Sequence, residues 1–162
     1  LCKAQRIAEN ESAFEPKLQT LKEFLNKEQV PVSFLVNGYC LKKSSVVFSG
    51  LPGSGKTLIA LQLAYAVATG GKFMGEECSQ APVIFYCADQ PSNITRHYIK
   101  EMGLDELDNF HIVTEENDGK EDERSANWNI TKLDVLEKHL DQVKPGLVVI
   151  DSIRTTICNP LG

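Results

Sequence analysis

The sequence predicts an α/β fold with a mainly parallel sheet that is flanked by helices on both faces. Short apolar runs, which are typical of strands buried on both faces, alternate along the chain with longer segments of helical periodicity. A glycine-rich loop lies between one such run and a helix. The length of 162 residues and the hydrophobic content of 42% fit a single soluble globular core.

The glycine-rich loop is the segment around which the chain is organised. Residues 50–57 read Gly-Leu-Pro-Gly-Ser-Gly-Lys-Thr and fill every fixed position of the phosphate-binding pattern G-x-x-x-x-G-K-[ST]. The glycines let successive amides turn toward phosphate oxygens, and the following helix adds its own N-terminal amides. We expect Lys56 to reach the β- and γ-phosphates and the hydroxyl of Thr57 to bind magnesium. The predicted nucleotide-binding residues are Gly50, Pro52, Gly53, Ser54, Gly55, Lys56, Thr57 and Leu58.

Residues 1–30 are predicted to form an N-terminal helical segment, and residues 31–162 the core. Ser12–Glu15 matches a capping box and apolar residues follow at helical spacing, which predicts a helix over Ala13–Lys27. We expect this helix to pack on its own domain, with docking on a neighbouring subunit as the alternative. Because the chain begins without methionine and stops soon after an apolar strand, we expect it to be a C-terminally incomplete part of a longer polypeptide.

The core elements are predicted from apolar patterns and turn signals. Val32–Val36 and Tyr39–Leu41 flank Asn37-Gly38, which indicates a hairpin with a type I′ turn. Buried strands are expected at Ser45–Phe48, Val83–Ala88, Phe110–Val113 and Leu147–Asp151, and helices at Leu58–Ala68, at Ile94–Met102 and from Thr131 to a stop at Pro145-Gly146.

Two connecting segments are predicted from composition. Thr69-Gly70-Gly71 supplies a glycine C-cap to the loop helix, and a connector runs from there to Pro82. Thr114–Asn127 is rich in Glu, Asp, Gly and Ser, which predicts a solvated, mobile loop. Its carboxylates lack the spacing of a calcium loop, so a metal role for them is the weaker alternative.

Composition argues against several classes of protein. The net charge of −5 gives no global electrostatic reason to bind nucleic acid, so such binding would need a local patch or other segments. The five cysteines are widely spaced and contain no C-x-x-C, which argues against a disulfide framework and a zinc site and fits a reducing cytosol. The chain has no apolar run of membrane-spanning length and no signal-peptide pattern at its start. We expect a cytoplasmic protein with no membrane partner.

Asp151 is the candidate partner of the phosphate-binding loop. It closes the apolar run Leu147–Ile150, and ligands of parallel sheets bind beyond the carboxyl ends of the strands. Asp151 is therefore expected to point into the same crevice as the loop. After a complete phosphate-binding loop, such a carboxylate is the expected magnesium partner.

Several segments together resemble the RecA-like P-loop ATPases, and within them the RepA-type hexameric helicase group with its RadA and DnaB relatives and the AAA-type ATPase domains. The resemblance implies Mg²⁺-dependent ATP hydrolysis with Lys56, Asp89 and Asp151 as catalytic residues. It also implies a hexameric ring of identical subunits that moves on single-stranded DNA through segments beyond residue 162. The segments that carry it are Phe34–Gly38, Gly50–Thr57, Ala66–Gly70, Val83–Gln90, Arg96 and Leu147–Arg154.

Asp89 stands where this family usually has a glutamate that polarises the attacking water. The carboxylate of Asp lies roughly 1.5 Å further back, and a misplacement of that order can lower a rate about a hundredfold. One alternative is that Asp89 only caps the next helix. Another is that the chain is a nucleotide-gated DNA-binding or assembly module of the recombination-mediator type with little turnover. A P-loop kinase of small metabolites is a more distant alternative.

The resemblance also implies elements that the sequence does not contain. A further strand would lie between the Asp151 strand and the phosphate-loop strand, and it would be followed by DNA-contacting loops and a finger residue that reaches the γ-phosphate of a neighbouring subunit. Arg96 and Arg154 match basic positions of the group, and Arg96 is expected on a solvated helix face. The histidines share no ligand spacing and are predicted to be structural: His97, His111 and His139.

Overall fold

The chain divides into two units, residues 1–32 and residues 33–162, and each is described by itself. The computed structural model describes residues 17–87, 90–104, 106–114 and 133–152.

In its described residues the first unit has one short helix, α1 (Leu21–Leu25). Thr20 is its N-cap in extended backbone: its hydroxyl accepts from the N–H of Glu23 at 3.3 Å, and the Glu23 carboxylate accepts from the N–H of Thr20 at 2.8 Å. These hydrogen bonds lower the pKa of Glu23, the backbone one most. The prediction of one continuous helix over Ala13–Lys27 is therefore wrong, because residues 17–19 lie outside the helix that begins after the capping box at Thr20. Ser12–Glu15 lies outside the described residues.

The second unit is built on a parallel sheet in the order β6-β5-β7. Cys87, at the end of the central strand, is level with Thr114 on one side and with Asp151 on the other. The α/β class with parallel strands is thus confirmed. In chain order the elements are β1 (Phe34–Val36), β2 (Cys40–Leu41), α2 (Lys56–Thr69), β3 (Lys72–Phe73), β4 (Glu76–Glu77), β5 (Val83–Cys87), α3 (Ser92–Glu101), β6 (Phe110–Thr114), α4 (Leu133–Val143) and β7 (Leu147–Asp151).

Helices cover both faces of this sheet. On one face, Leu61 of α2 and Phe85 of β5 are buried in one apolar cluster, and Tyr98 of α3 packs against it. Because strand side chains alternate, Tyr86 points to the other face, where its hydroxyl lies 3.1 Å from Nδ1 of His139 on α4. Burial raises the pKa of the Tyr86 phenol. His139 therefore takes part in the packing of α4 on β5.

The helix after the phosphate-binding loop ends as predicted. Gly70 has a φ of 70°, and its N–H donates to the carbonyl of Val67 at 3.3 Å. The N–H of Gly71 donates to the carbonyl of Ala66 at 2.9 Å, which satisfies a second carbonyl of the last turn. The glycine C-cap is confirmed.

Asn37-Gly38 does not form the predicted type I′ turn, and this type of turn is found in another hairpin. β1 and β2 pair antiparallel as predicted, but of the two turn residues only Gly38 has a positive φ, of 72°. Asn37 is held instead by β4, since its N–H donates to the carbonyl of Glu77 at 3.1 Å. Met74 and Gly75, between β3 and β4, have φ values of 50° and 88°, as a type I′ turn requires. The predicted connector thus contains a hairpin that the sequence did not reveal, because its strands are only two residues long.

The segment Ser45–Phe48, predicted as a buried strand, forms no strand. Val46, Val47 and Phe48 are exposed by 49%, 73% and 48%. The backbone of a strand needs a neighbouring strand for its hydrogen bonds, and within the described residues none lies beside this segment. The position that the resemblance gives to a further strand, between this segment and β7, is likewise not filled by any described strand. The prediction of strand, loop and helix is therefore right for the loop and the helix and wrong for the strand.

The remaining predicted elements are found close to their expected bounds. α3, β6 and β7 form where predicted, and the described part of the last helix begins at Leu133. Three predicted positions lie outside the described residues. They are the start of the last helix at Thr131, the end of the β5 strand at Ala88, and residues 115–127 of the predicted loop. Where described, the cysteines are thiols, namely Cys40, Cys78 and Cys87. Among the described helices, none has the length and hydropathy to cross a bilayer.

Gly146 is predicted to be required for close packing at the start of β7. Its N–H donates to the carbonyl of Pro82 at 2.8 Å, and a Cβ built on it would collide with the Cβ of Ala81. We predict that Gly146→Ala lowers the free energy of unfolding by about 1–3 kcal/mol, measured by urea denaturation. The control is Gly71→Ala, whose Cβ would lie 3.2 Å from the rotatable hydroxyl of Thr69, and it should cost less. Unchanged stability of Gly146→Ala would contradict this packing.

Candidate functional site

The phosphate-binding loop reaches α2 through two glycines in the left-handed region. Gly53 has a φ of 74° and Gly55 a φ of 82°, and the N–H of Ser54 donates to the carbonyl of Leu51 at 3.2 Å. A Cβ on Gly50 would lie 2.9 Å from the hydroxyl oxygen of Ser54, which is tighter than ordinary contact. The glycines of the sequence pattern therefore serve the tight curvature of this loop.

The N-terminus of α2 supplies the second part of an anion site. Its N-cap is Gly55, which gives the helix no side-chain hydrogen bond. The first N–H groups of a helix have no acceptor within the helix, and the positive end of the helix dipole lies there. Lys56, Thr57 and Leu58 form this first turn. The phosphate-binding loop and the N-terminus of α2 together form a site of backbone N–H donors that suits phosphate oxygens.

Lys56 closes this loop from one side. Its Nζ donates to the carbonyl oxygens of Gly50 at 3.0 Å and Leu51 at 2.9 Å. Phosphate oxygens accept the same kind of bond and carry full negative charge, so they form stronger bonds with an ammonium group than neutral carbonyls do. A bound triphosphate would therefore take over Lys56 from the loop carbonyls.

Asp151 lies next to the first turn of the loop helix. The hydroxyl of Thr57 donates to Oδ2 of Asp151 at 2.6 Å, although the two residues are 94 positions apart in the sequence. Asp151 is 9% exposed and stands at the carboxyl end of β7. The fold thus brings a hydroxyl and a buried carboxylate together at the first turn of α2.

This pair of oxygen atoms fits a magnesium ion. Hydroxyl and carboxylate oxygens are ligand types that Mg²⁺ accepts, and adjacent ligands on an octahedral magnesium ion lie about 2.9 Å apart. The 2.6 Å between Thr57 and Asp151 is close to that spacing. In the described part of the chain, no group of three or more His, Cys, Asp or Glu residues could hold a metal ion. An ion at this pair would therefore need ligands from a nucleotide and from water.

The structure does not describe every predicted site residue. All eight predicted nucleotide-binding residues, from Gly50 to Leu58, lie in the loop and in the first turn of α2. Asp151 lies beside them, whereas Asp89 and Arg154 lie outside the described residues. Arg96 is on the exposed side of α3.

A polar cluster lies at the end of β5 and was not predicted from the sequence. Sγ of Cys87 lies 2.8 Å from the hydroxyl oxygen of Thr95 on α3, and the two residues are 4% and 1% exposed. The same thiol donates to the carbonyl of Gln90 at 3.7 Å. The abrupt change from apolar to polar residues after β5 is the one sequence signal for this cluster. Its contacts depend on the turn into α3, which no local pattern specifies.

Thr57→Val is predicted to destabilise the ligand-free protein. Valine keeps the shape of threonine but removes the donor to Asp151, and a buried acceptor left without its partner costs about 1–3 kcal/mol. We expect the free energy of unfolding to fall by this amount in chemical denaturation without nucleotide or magnesium. Thr57→Ser keeps the hydroxyl and should retain most of the stability. A Thr57→Val protein as stable as the wild type would contradict the hydrogen bond.

Comparison with known proteins places the chain in a family. A family model described as an AAA domain matches residues 9–159, which include both the phosphate-binding loop and Asp151. Neither a curated protein nor a solved structure matches the sequence. The family match covers nearly the whole chain, and it agrees with the loop and the parallel sheet. The chain therefore belongs to the AAA-domain family of P-loop ATPases.

Proposed function

We propose that this chain hydrolyses ATP as the nucleotide-binding part of a RecA-like motor, which assembles into a hexameric ring and moves on single-stranded DNA. The AAA-domain match supports ATP binding and ATPase activity. The contact of 2.6 Å between Thr57 and Asp151 carries the proposal for magnesium-dependent chemistry, because it joins two distant segments at the phosphate-binding loop. The proposals of a hexameric ring and of movement on single-stranded DNA rest only on the resemblance of the sequence segments.

Binding begins with an exchange of partners at the loop. Lys56 leaves the carbonyls of Gly50 and Leu51 and donates to the β- and γ-phosphate oxygens, while the amides of the first turn of α2 accommodate the remaining charge. Thr57 and Asp151 would hold the magnesium ion. When bound, this ion supplies charge neutralisation on the phosphate oxygens.

In the proposed hydrolysis, water attacks in line with the leaving group. The water oxygen forms a bond to the γ-phosphorus while the bond from that phosphorus to the β,γ-bridging oxygen breaks, and its electron pair stays on ADP. The released proton passes through the carboxylate of Asp89 to the phosphate product. Asp89 is assigned this role because it matches the position where the resembling family has the acidic residue that polarises the attacking water.

Because Asp89 is an aspartate and not a glutamate, a second function is also considered. The family usually has glutamate there, and the shorter Asp89 is less able to reach an attacking water. With little turnover, ATP occupancy itself would control assembly on DNA or on a partner protein. Asp89→Asn separates the two functions, because loss of function with retained ATP binding favours the motor.

The proposed function predicts an ATPase rate that rises severalfold with single-stranded DNA. The rate should be measured as phosphate release from the complete gene product. Lys56→Ala serves as the blank, because loss of one electrostatic contact to the transition state costs about 100-fold or more. Lys72→Ala is the matched control: Lys72 forms an exposed ion pair with Glu77 at 3.0 Å, and its loss should leave the rate unchanged.

The complete gene product also allows a test of whether the subunits assemble into a ring. Sedimentation with ATP and magnesium should give a species several times the mass of the monomer. A monomer under every condition would rule out the ring, and a flat, slow rate with tight ATP binding would favour the nucleotide-gated module.

A further inference from the structure

A cavity of about 380 Å³ lies at the amino end of the parallel sheet. Its lining includes Ala81, which precedes β5, and Pro145 and Gly146, which directly precede β7. Asp151, which contacts Thr57, stands at the opposite end of β7. At about 3.3 Å per residue, β7 separates Gly146 from Asp151 by about 16 Å. The cavity is therefore distinct from the phosphate-binding loop and its magnesium pair.

Two lysines in the turn after β2 make this cavity basic. Lys42 and Lys43 both line it, both are exposed, and no Asp or Glu is among the lining residues. Within the part of the chain that the structure describes, neither lysine side chain belongs to an ion pair. Like charges side by side repel each other, and anions bound beside them remove that repulsion. A chain with a net charge of −5 thus has a local basic patch here, which we call the basic cavity.

Hydrogen bonds fix the turn that carries these lysines. The N–H of Lys42 donates to the carbonyl of Ser33 at 2.9 Å, and the hydroxyl of Ser44 donates to the carbonyl of Leu41 at 2.8 Å. The backbone of the turn is therefore held on the strand pair β1-β2. The ammonium groups stand on flexible four-carbon stems, so they can adjust to an anion while their attachment points stay in place.

The lining of the basic cavity favours the phosphate groups of a nucleic-acid backbone. Lysine binds phosphate as a point charge, and contacts to phosphate carry no sequence information. Small-molecule sites are lined mainly by apolar and aromatic side chains, and unpaired bases are bound by stacking on aromatic rings. The basic cavity has no aromatic residue in its lining. It therefore offers a contact to phosphate and none to a base.

We propose that Lys42 and Lys43 bind phosphate groups of the backbone of single-stranded DNA, at the end of the sheet opposite to the ATP site. The inference rests on the DNA-binding part of the proposed function, and it adds a contact within this chain to the segments beyond residue 162. Such a contact is electrostatic and independent of base sequence, so salt weakens it. Because the two ends of the sheet are far apart, these lysines take no part in holding ATP.

The test compares Lys42→Gln/Lys43→Gln with the wild type, each as the complete gene product. Binding of a fluorescent oligothymidine is measured by anisotropy over a range of salt concentrations. We expect the slope of log affinity against log salt to become shallower by about 1.4, because each phosphate contact to a single strand contributes about 0.7. The DNA concentration for half-maximal ATPase stimulation should rise severalfold, while ATP affinity and the rate without DNA stay unchanged.

The matched control is Lys100→Gln/Lys138→Gln. It removes the same charge from exposed positions of α3 and α4 that do not line the basic cavity, so its salt slope should equal that of the wild type. An equal loss of DNA binding in both double variants is a general effect of charge and overturns the inference. DNA binding that is unchanged in Lys42→Gln/Lys43→Gln also overturns it, even if inorganic phosphate binds at these lysines.

The same measurements separate this inference from the proposed function. Unchanged DNA binding in Lys42→Gln/Lys43→Gln, with a wild-type rate that DNA raises, overturns the inference and leaves the motor standing. A shallower salt slope in that variant, with a wild-type rate that DNA does not raise, supports the inference and contradicts the motor. A wild type that does not bind the oligothymidine overturns both.

Discussion

The hydrogen bond between Thr57 and Asp151 is the interaction on which the site depends. Thr57 belongs to the first turn of α2, whereas Asp151 ends β7, and 94 positions of sequence separate them. They meet because α2 packs across the face of the sheet, with its N-terminus at the carboxyl ends of the strands. A carboxylate that is 9% exposed needs such a donor when no ion is present. The same bond therefore stabilises the contact between α2 and β7 and joins the two oxygen atoms that would hold a cation.

The middle and the carboxyl end of the sheet differ in polarity. Phe85 and Tyr86 in the middle of β5 are at most 1% exposed and provide apolar burial on opposite faces. Cys87, the last residue of the same strand, instead joins a polar contact with Thr95 and lies level with Asp151. The rigid apolar body thus holds a row of polar groups in register at one edge. That register brings Cys87 of β5 level with Asp151 of β7, which contacts Thr57 in the first turn of α2.

The sequence predicted those parts of the fold that depend on local patterns. The loop, α2 with its Gly70 cap, and the strands β5 and β7 follow from glycine spacing and from apolar runs, which need no knowledge of distant contacts. Ser45–Phe48 was predicted wrongly, because an apolar run becomes a strand only when another strand pairs with it. The turn at Asn37 differs because Glu77, forty residues away, takes its N–H. The contact between Cys87 and Thr95 was not predicted for a similar reason, because only the fold brings the end of β5 and the first turn of α3 together.

The phosphate-binding loop and Asp151 are proposed to form one magnesium-dependent ATPase site. The most direct test measures phosphate release against magnesium concentration for the wild type and for Asp151→Asn, which keeps size and polarity but removes the charge. For such a site, we predict a wild-type rate that saturates with magnesium. We also predict that Asp151→Asn needs at least about tenfold more magnesium, since loss of a group that supports a metal ion typically costs about 10–100-fold in affinity. Identical magnesium dependence in the two proteins would contradict it.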